Sequence, residues 1–231
     1  MQKQPIKAMI LAAGRGNRLR PLTDTIPKPL IEVCGKPLIE YHIEKLASAG
    51  VTEIVINHAW LGHQLENVLG NGDRWDLTIH YSPEPEGGLE TAGGIINALP
   101  LLGDAPFLVV NGDVYCDLSF DHLLEQARKM VSKKTCLAHL MLVPSPNHNA
   151  KGDFGLLTNQ LVTAEGDYTF SGLSVLSPAL FDGLDVDFIK LAPILRQEML
   201  NQRVTGGIFD GYWSDVGTLE RLEATQKAVC P

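Results

Sequence analysis

Cysteine is scarce in this 231-residue chain, and its positions follow no metal-binding or disulfide pattern. The four cysteines, Cys34, Cys116, Cys136 and Cys230, are scattered, and no two form a Cys-x-x-Cys pair. Such close pairs are typical of zinc sites, and a dense set of cysteines is typical of small disulfide-rich domains. We therefore expect unpaired thiols and, by default, a reducing cytoplasmic environment.

The chain also lacks long hydrophobic runs and an excess of positive charge. No segment approaches the ~20 apolar residues of a membrane-spanning helix, and the apolar run at residues 8–13 is too short for the core of a signal peptide. Lys and Arg number 19 against 27 Asp and Glu, a net charge of −8, whereas a nucleic-acid-binding protein needs a basic face. We expect neither a membrane nor a nucleic acid as a partner.

Short apolar runs alternate with helical patterns along the first part of the chain, which is typical of βαβ units. Strands are predicted at residues 6–11, 53–56, 78–81, 107–110 and 137–143, with later glycine-punctuated strands, added antiparallel, at 154–157, 170–176 and 204–209. Helices are predicted between Pro37 and Gly50 and at residues 61–69, 91–99, 120–129, 190–201 and 218–228. We expect an α/β fold in a single domain over residues 1–231: a Rossmann-like three-layer sandwich with a mixed, mainly parallel central sheet.

The first predicted strand runs into a loop that suits an anion. Gly14 and Gly16 let backbone N–H groups approach a ligand closely because no Cβ intervenes. The loop lacks the third glycine of a dinucleotide-binding fingerprint and the Gly-Lys-Ser/Thr ending of a Walker loop. Four cations that suit phosphate oxygens lie in one short segment, namely Arg15, Arg18, Arg20 and Lys28. We interpret the segment as a triphosphate-binding loop, the alternative being a surface turn with solvated basic residues.

Two aspartates that are far apart in the sequence follow apolar or aromatic runs. Asp113 comes after the predicted strand at 107–110, and Asp215 comes after Trp213-Ser214. If both strands end at one edge of the sheet, the two carboxylates can share Mg²⁺, which takes oxygen ligands and keeps sites for waters and substrate phosphates. Either aspartate taken singly is also typical of a helix cap or a turn.

A second glycine-rich segment, residues 82–94, leads from a predicted strand into a predicted helix. Its backbone groups could read the edge of a nucleobase. The alternative is a tight turn in which Thr91 caps the helix. The histidines show no spacing with acidic residues that indicates a metal or acid–base site, so we expect them to be hydrogen-bonded or to face solvent.

The pattern that begins at Leu11, Leu-Ala-Ala-Gly-x-Gly-x-Arg-Leu-x-Pro-Leu-Thr followed by Pro-Lys-Pro-Leu, resembles the signature of the sugar-1-phosphate nucleotidyltransferases. Val-Asn-Gly-Asp at 110–113 and Trp-Ser-Asp-Val-Gly-Thr at 213–218 are similar to the family segments whose aspartates hold magnesium. The resemblance implies a nucleotide-diphospho-sugar transferase-like fold and Mg²⁺-dependent nucleotidyl transfer from a nucleoside triphosphate to a sugar 1-phosphate. It also implies a nucleotide-binding part at about residues 1–145 and a sugar-binding part at about 146–217.

Matched residue by residue, the resemblance implies a role for each site residue. Arg18 and Lys28 are implied as catalytic cations that contact the phosphates, and Asp113 and Asp215 as the metal ligands. The implied nucleotide-binding residues are Leu11, Ala12, Ala13, Gly14, Arg15, Gly16, Ser82, Gly88, Thr91 and Asn111. The implied sugar-binding residues are Gly155, Phe170 and Gly172, although glycines there are also typical of a bulge or turn.

The substrates are open to more than one interpretation. The chain is similar over nearly its full length to uridylyltransferases that act on N-acetylmuramate α-1-phosphate in peptidoglycan recycling, which implies UTP. Mannose-1-phosphate guanylyltransferases and glucose-1-phosphate thymidylyl- or uridylyltransferases are alternatives. The lactyl carboxylate of a muramyl acceptor would favour a cation such as Lys151 or Arg203. The Glu-Lys-Pro stretch whose lysine binds the sugar phosphate in many relatives has no counterpart between Leu156 and Phe170.

A non-catalytic nucleotide-sugar sensor is the alternative from another class of protein. A degenerate relative would be expected to lose one of the site residues, whereas all four charged ones are present: Arg18, Lys28, Asp113 and Asp215. The oligomeric state cannot be inferred from the sequence, because it does not distinguish an interface from a core.

Overall fold

Successive side chains of the first strand are apolar and are buried on both faces of the sheet. In the computed structural model, which describes residues 5–132 and 135–231, Ala8, Met9 and Ile10 are all fully buried. Ala8 and Ile10 pack into one apolar cluster, and Met9 packs into another. Because successive side chains of a strand point to opposite faces, this strand needs helices above and below it.

The described residues form twelve strands and six α-helices. The strands are β1 (Ala8–Leu11), β2 (Glu32–Val33), β3 (Lys36–Pro37), β4 (Glu53–His58), β5 (Thr78–Pro83), β6 (Phe107–Asn111), β7 (Val114–Cys116), β8 (Ala138–Pro144), β9 (Phe154–Leu156), β10 (Val162–Leu176), β11 (Val204–Ile208) and β12 (Trp213–Asp215). The helices are α1 (Leu38–Ser48), α2 (Gly62–Leu69), α3 (Glu90–Leu102), α4 (Asp121–Ser132), α5 (Leu191–Leu200) and α6 (Leu219–Val229).

Eight strands form the main sheet, in the order β11-β8-β10-β6-β1-β4-β5, with β9 paired to β10 outside this path. Neighbours from β6 to β5 are parallel, as are β8 and β11, whereas β10 is antiparallel to β6, β8 and β9. Helices α1, α2 and α4 pack on one face and helices α3 and α5 on the other. The predicted three-layer sandwich with a mixed, mainly parallel sheet is confirmed. Within the described stretches, none of the helices has the length and apolar character needed to span a bilayer.

The direction of β11 corrects one expectation. The run at 204–209 was expected to add to the sheet antiparallel, but β11 lies parallel to β8, with Val204 opposite Ala138. The reason is the path of the chain, because β10 ends with Leu176 opposite the same Ala138. From there the chain crosses to the far edge, where Ile189 N–H donates to Leu89 O, and α5 brings it back. Strand β11 therefore starts where β10 ended and runs the opposite way.

A third, smaller apolar cluster packs the C-terminal helix against the region that follows the glycine loop. It consists of six buried residues: Leu19, Ile31, Val33, Leu38, Val216 and Leu222. These residues come from both ends of the chain. The cluster therefore fixes α6 beside the segment that carries Arg18 and Lys28.

Two of the four cysteines form a disulfide, which corrects the expectation of unpaired thiols. Cys34, in the turn between β2 and β3, is bonded to Cys230 immediately after α6, with their Cα atoms 5.4 Å apart. The two residues are 196 positions apart and are brought together by the third apolar cluster, so their spacing held no sign of the pairing. Cys116 and Cys136 are free, and burial raises the pKa of the Cys116 thiol.

From the disulfide we predict the number of reactive thiols and a contribution to stability. Protein unfolded without reductant should take up two alkyl groups from iodoacetamide, and four after reduction, as measured by mass spectrometry. Reduction should lower the free energy of unfolding by ~2–4 kcal/mol, the typical contribution of a native disulfide. Cys34→Ser should show the lower urea midpoint already and should not respond to reductant. Four alkylated thiols in the unreduced, air-exposed protein would contradict the bond.

Candidate active site

Three parallel strands end side by side at one edge of the main sheet. Leu11, the last residue of β1, is the register partner of both Asn57 in β4 and Asn111 in β6. Open α/β sheets bind ligands beyond the carboxyl ends of their strands. This edge is therefore where the loops after β1, β4 and β6 can meet a ligand.

Three cavities adjoin at this edge, and two of them hold the predicted charged residues; the third, of about 430 Å³, has Lys190 and Arg196 among its lining residues. The glycine-loop cavity, of about 500 Å³, is lined by Leu11, Ala12, Ala13, Gly14, Gly16, Asn17, Arg18, Lys28, Pro29, Asn57, Gly87, Glu90, Thr91, Asn111, Asp113, Phe188 and Gly217. The aspartate cavity, of about 350 Å³, is lined by Arg18, Asn111, Asp113, Val114, His148, Asn149, Asp153, Thr169, Phe170, Ser171, Gly172, Trp213, Asp215 and Arg221. Arg18, Asn111 and Asp113 line both, so they mark the junction.

The glycine loop is held by its own neighbours. Gly16 has a φ of +69°, a left-handed conformation that favours glycine, and Thr23 Oγ1 donates to its carbonyl oxygen at 2.9 Å. A Cβ on Gly16 would also lie 3.2 Å from Lys28 Cβ. The loop therefore packs directly on the segment that carries the lysine.

The side chains of Arg15 and Arg20 bind other groups of the protein. The Arg15 guanidinium donates to Thr23 O at 2.5 Å, pairs with Asp24 at 2.9 Å and lies 3.8 Å from the centre of the Trp60 ring. Arg20 pairs with the same Asp24 at 2.8 Å, and these contacts lower the pKa of Asp24, chiefly through the hydrogen bond from Arg15. Neither arginine lines the glycine-loop cavity. The structure thus places Arg15, predicted to contact nucleotide, in a clamp that holds the loop.

Arg18 and Lys28 both lie at the cavities. Lys28 is buried, and its Nζ is 2.5 Å from Asp113 Oδ2. Arg18 is exposed and has no hydrogen-bond or ion-pair partner among residues 5–132 and 135–231. One cation is therefore held against a carboxylate, and the other is available to an anion.

The two aspartates are neighbours in space. Strand β12 pairs with β7 so that Asp215 is opposite Val114, and Val216 N–H donates to Asp113 O at 2.8 Å. Arg221 Nη1 lies 3.2 Å from Asp215 Oδ2, and His148 Nε2 lies 3.1 Å from Oδ1. The approach of His148 lacks hydrogen-bond geometry, so the buried Oδ1 accepts no hydrogen bond from a described group.

Asn57 links the glycine loop to the second glycine-rich segment. Its Oδ1 accepts from Ala12 N–H at 2.9 Å, and its Nδ2 donates to Glu84 Oε1 at 2.5 Å. Glu84 Oε2 in turn accepts from Leu89 N–H at 2.8 Å. Burial is the largest effect on Glu84 and raises its pKa. This chain of contacts holds the loops after β1 and β5 in one arrangement.

Besides Arg15, three predicted contact residues lie outside the linings of these two cavities. Ser82 is buried, and its Oγ accepts from Asn97 Nδ2 at 3.0 Å. Gly88 has a φ of +78° and forms a turn, with its N–H donating to Pro85 O. Its neighbour Gly87 lines the glycine-loop cavity, as does the predicted Thr91. Gly155 packs against Glu165 and Gly166 in the β9–β10 pair, leaving no room for a Cβ.

Phe170 and Gly172, in contrast, line the aspartate cavity. Asp153 lies beside them, with its Oδ2 accepting from Phe170 N–H at 2.9 Å and its Oδ1 accepting from Asn149 Nδ2 at 3.1 Å. Gly172 has a φ of +81°, and a Cβ there would lie 2.7 Å from Asn111 Nδ2. The glycine lets β10 approach the end of β6 closely.

Several polar lining residues were not among the predicted site residues, including Asn57, His148, Asp153 and Arg221. Asn57 was identifiable as a polar residue at the end of an apolar strand, whereas the positions of the other three depend on how the second half of the chain folds. The two cations suggested for an acceptor carboxylate are not in the cavities. Lys151 is exposed, and Arg203 pairs with Glu198 at 2.5 Å at the opposite edge, next to the start of β8.

The comparisons with known proteins agree with this geometry. The family model described as "Nucleotidyl transferase" matches residues 7–167. N-acetylmuramate α-1-phosphate uridylyltransferase of Neisseria meningitidis serogroup B is 54% identical over 226 residues, which are 96% of this chain and 97% of that protein. The chain belongs to the nucleotidyl transferase family and is an enzyme of the sugar-phosphate nucleotidyltransferase class.

More distant matches are consistent with the same class. Mannose-1-phosphate guanyltransferase of Hypocrea jecorina is 33% identical over 92% of this chain, but the match spans only 61% of that longer protein. A crystal structure of UDP-glucose pyrophosphorylase with UDP-glucose superposes with a TM-score of 0.76 at 21% identity, covering 97% of this chain and 98% of that one. This last likeness shows the fold.

The different surroundings of Arg15 and Arg18 predict different effects on stability. Arg15→Ala should lower the free energy of unfolding by roughly 1–2 kcal/mol, because it removes charge-assisted hydrogen bonds and a cation–π contact. Arg18→Ala should change it by less than about 0.5 kcal/mol, as is usual for an unpaired surface side chain. Urea unfolding of both variants measures this, and equal losses would contradict the clamp.

Proposed function

We propose that this protein transfers the uridylyl group of UTP to N-acetylmuramate α-1-phosphate, giving UDP-N-acetylmuramate and pyrophosphate, in peptidoglycan recycling. The observation that carries the reaction type is the meeting of the glycine loop, Lys28 and two aspartates where two cavities join. The choice of substrates is supported by the Neisseria relative, which matches this chain along nearly the whole length of both.

The chain contributes position and charge to the reaction. An oxygen of the sugar phosphate attacks the α-phosphorus of UTP and forms the new P–O bond, while the bond to the bridging oxygen breaks and pyrophosphate leaves. Loop N–H groups and Arg18 hold the triphosphate, and Lys28, which pairs with Asp113 at the junction, opposes the charge that builds up at the α-phosphorus. Because Lys28 is buried, its charge acts with less screening than a surface cation. No nucleophilic side chain takes part.

Asp113 and Asp215 fit a divalent cation, for which we propose Mg²⁺. Asp215 lies on β12, paired with the strand that Asp113 immediately precedes, and the buried Asp215 Oδ1 has an unused acceptor position. The described residues hold no group of three or more His, Cys, Asp or Glu placed for a metal, so the protein would supply two carboxylates and leave further positions to substrate and water. This donor set suits Mg²⁺, which when bound would offset the charge of the phosphates.

UTP consumption suggests a cytoplasmic location, which we include in the proposal. A stable disulfide such as Cys34–Cys230 is unusual in that compartment. The thiol count of protein taken directly from cells therefore bears on location as well as on stability.

The proposed function is tested by a matrix of nucleotides and acceptors. UTP, GTP and dTTP are each incubated with Mg²⁺ and the 1-phosphates of N-acetylmuramate, mannose or glucose, and pyrophosphate release is measured. The kcat/KM of UTP with N-acetylmuramate α-1-phosphate should exceed every other pair by at least about tenfold, or 1.4 kcal/mol. Faster turnover of GTP with mannose 1-phosphate would reassign the substrates. Binding of UTP without turnover of any acceptor would instead favour the sensor.

The metal assignment makes a separate prediction. Asp113→Asn and Asp215→Asn should each raise the Mg²⁺ concentration for half-maximal rate at least about tenfold, since even outer partners of metal ligands cost this much. Asp117→Asn is the matched control, because Asp117 follows β7 but lies outside both cavities. Metal titration curves that coincide for all three variants would remove the two aspartates from the metal site.

A further inference from the structure

Arg221 in the first turn of α6 has donors left over after its contact with Asp215. The side chain is 17% exposed, and Nη1 lies 3.2 Å from Asp215 Oδ2. Nε and Nη2 are buried and have no hydrogen-bond partner in the described part of the chain. A guanidinium always carries its charge and offers five N–H donors. Because buried donors without partners are rare in native proteins, the contact with Asp215 does not satisfy this guanidinium fully.

A second guanidinium lies close by. A Cβ on Gly217 would overlap Arg221 Nη2 and would lie 3.0 Å from Arg18 Nη2. The two arginines therefore flank one glycine, and their like charges repel each other. Asp215 offsets one of these charges, while Arg18 has no acidic partner among the described residues. The pair is suited to an anion with several oxygens, such as a phosphate monoester.

The position of Arg221 indicates which phosphate it meets. It lines the aspartate cavity, with the acceptor-side residues Phe170 and Gly172, and it does not line the glycine-loop cavity. Arg18 lines both cavities and so lies between the two substrates. The segment from Leu156 to Phe170, which ends at the cavity lining, contains no Lys or Arg. The aspartate cavity has three basic lining residues, Arg18, His148 and Arg221, of which Arg221 is the most buried.

We infer that Arg221, on the C-terminal helix, binds the phosphate group of the sugar 1-phosphate. The inference rests on the proposed function. It predicts a direct contact with substrate, whereas a purely structural role would limit Arg221 to holding Asp215 in place.

The test compares Arg221→Met with Lys227→Met, which makes the same charge change at an exposed residue of the same helix, outside both cavities. N-acetylmuramate α-1-phosphate is titrated calorimetrically into each protein in EDTA, which removes any contribution of metal. Arg221→Met should bind it at least tenfold more weakly than wild type, the loss of one or two charge-assisted hydrogen bonds, and Lys227→Met should match wild type. N-acetylmuramate without phosphate should not distinguish the variants.

Kinetics and a conservative variant extend the test. In Arg221→Met the KM for the sugar 1-phosphate should rise at least tenfold, with the KM for UTP little changed. Arg221→Lys should recover part of the affinity, because it restores a point charge without the fork. Arg221→Gln, which keeps a polar group beside Asp215, is used if Arg221→Met folds poorly by circular dichroism.

The outcomes separate this inference from the proposed function. Equal affinity of Arg221→Met and Lys227→Met in EDTA would overturn the inference, and a raised Mg²⁺ requirement in the same variant would assign Arg221 to positioning Asp215. Absence of turnover with every acceptor would overturn the proposed function instead. In that case inorganic phosphate serves as the probe, and weaker binding to Arg221→Met than to Lys227→Met would still support an anion site at Arg221.

Discussion

A two-stranded ladder of three residues on each side places Asp215 beside Asp113. Strand β12 pairs with β7, and Val216 N–H donates to the carbonyl of Asp113, so residues about a hundred positions apart share one edge of the fold. Backbone hydrogen bonds hold this arrangement, independently of any side-chain charge. The aspartate cavity, the contact of Arg221 with Asp215 and the proposed metal site all depend on it.

Opposite charges meet in pairs where the cavities join. Lys28 is held by Asp113, and Arg221 by Asp215, which lowers the cost of keeping these partly buried ions away from water. Arg18, without such a partner, remains available. In the proposed function, each carboxylate and each cation would exchange its internal partner for one on a charged substrate or on the divalent ion. The clamp formed by Arg15, Asp24 and Trp60 would keep the glycine loop in place during that exchange.

The apolar periodicities predicted the helices and most main-sheet strands to within a few residues, because these elements are determined by burial of one face or of both. The patterns missed the shortest strands and the full extent of the longest one. Strands β7 and β12 have three residues each, too few to show a period, and β10 runs for 15 residues through a register shift between Phe170 and Ser174. Direction was equally hidden, since a run such as residues 204–209 pairs parallel or antiparallel with the same composition.

Among the site residues, the local motifs indicated Arg18, Lys28, Asp113 and Asp215, which the structure brings to adjoining cavities. Those motifs did not reveal which arginine of the loop is occupied internally. Arg15 and Arg18 are equally basic in the sequence, and only the positions of Asp24 and Trp60 distinguish them. The same is true of Ser82 and Gly155, whose surroundings in the fold leave them outside the cavity linings.

The sequence by itself determined the class of fold, the glycine-rich and basic character of the first loop and the family, because these reside in residues that are close together along the chain. The tertiary structure decided which distant residues became partners. Cys34 met Cys230, and Arg221 met Asp215 near Arg18, because the third apolar cluster packs the C-terminal helix against the N-terminal segment. Contacts of that kind depend on the packing of whole elements, and spacing along the chain carries no record of them.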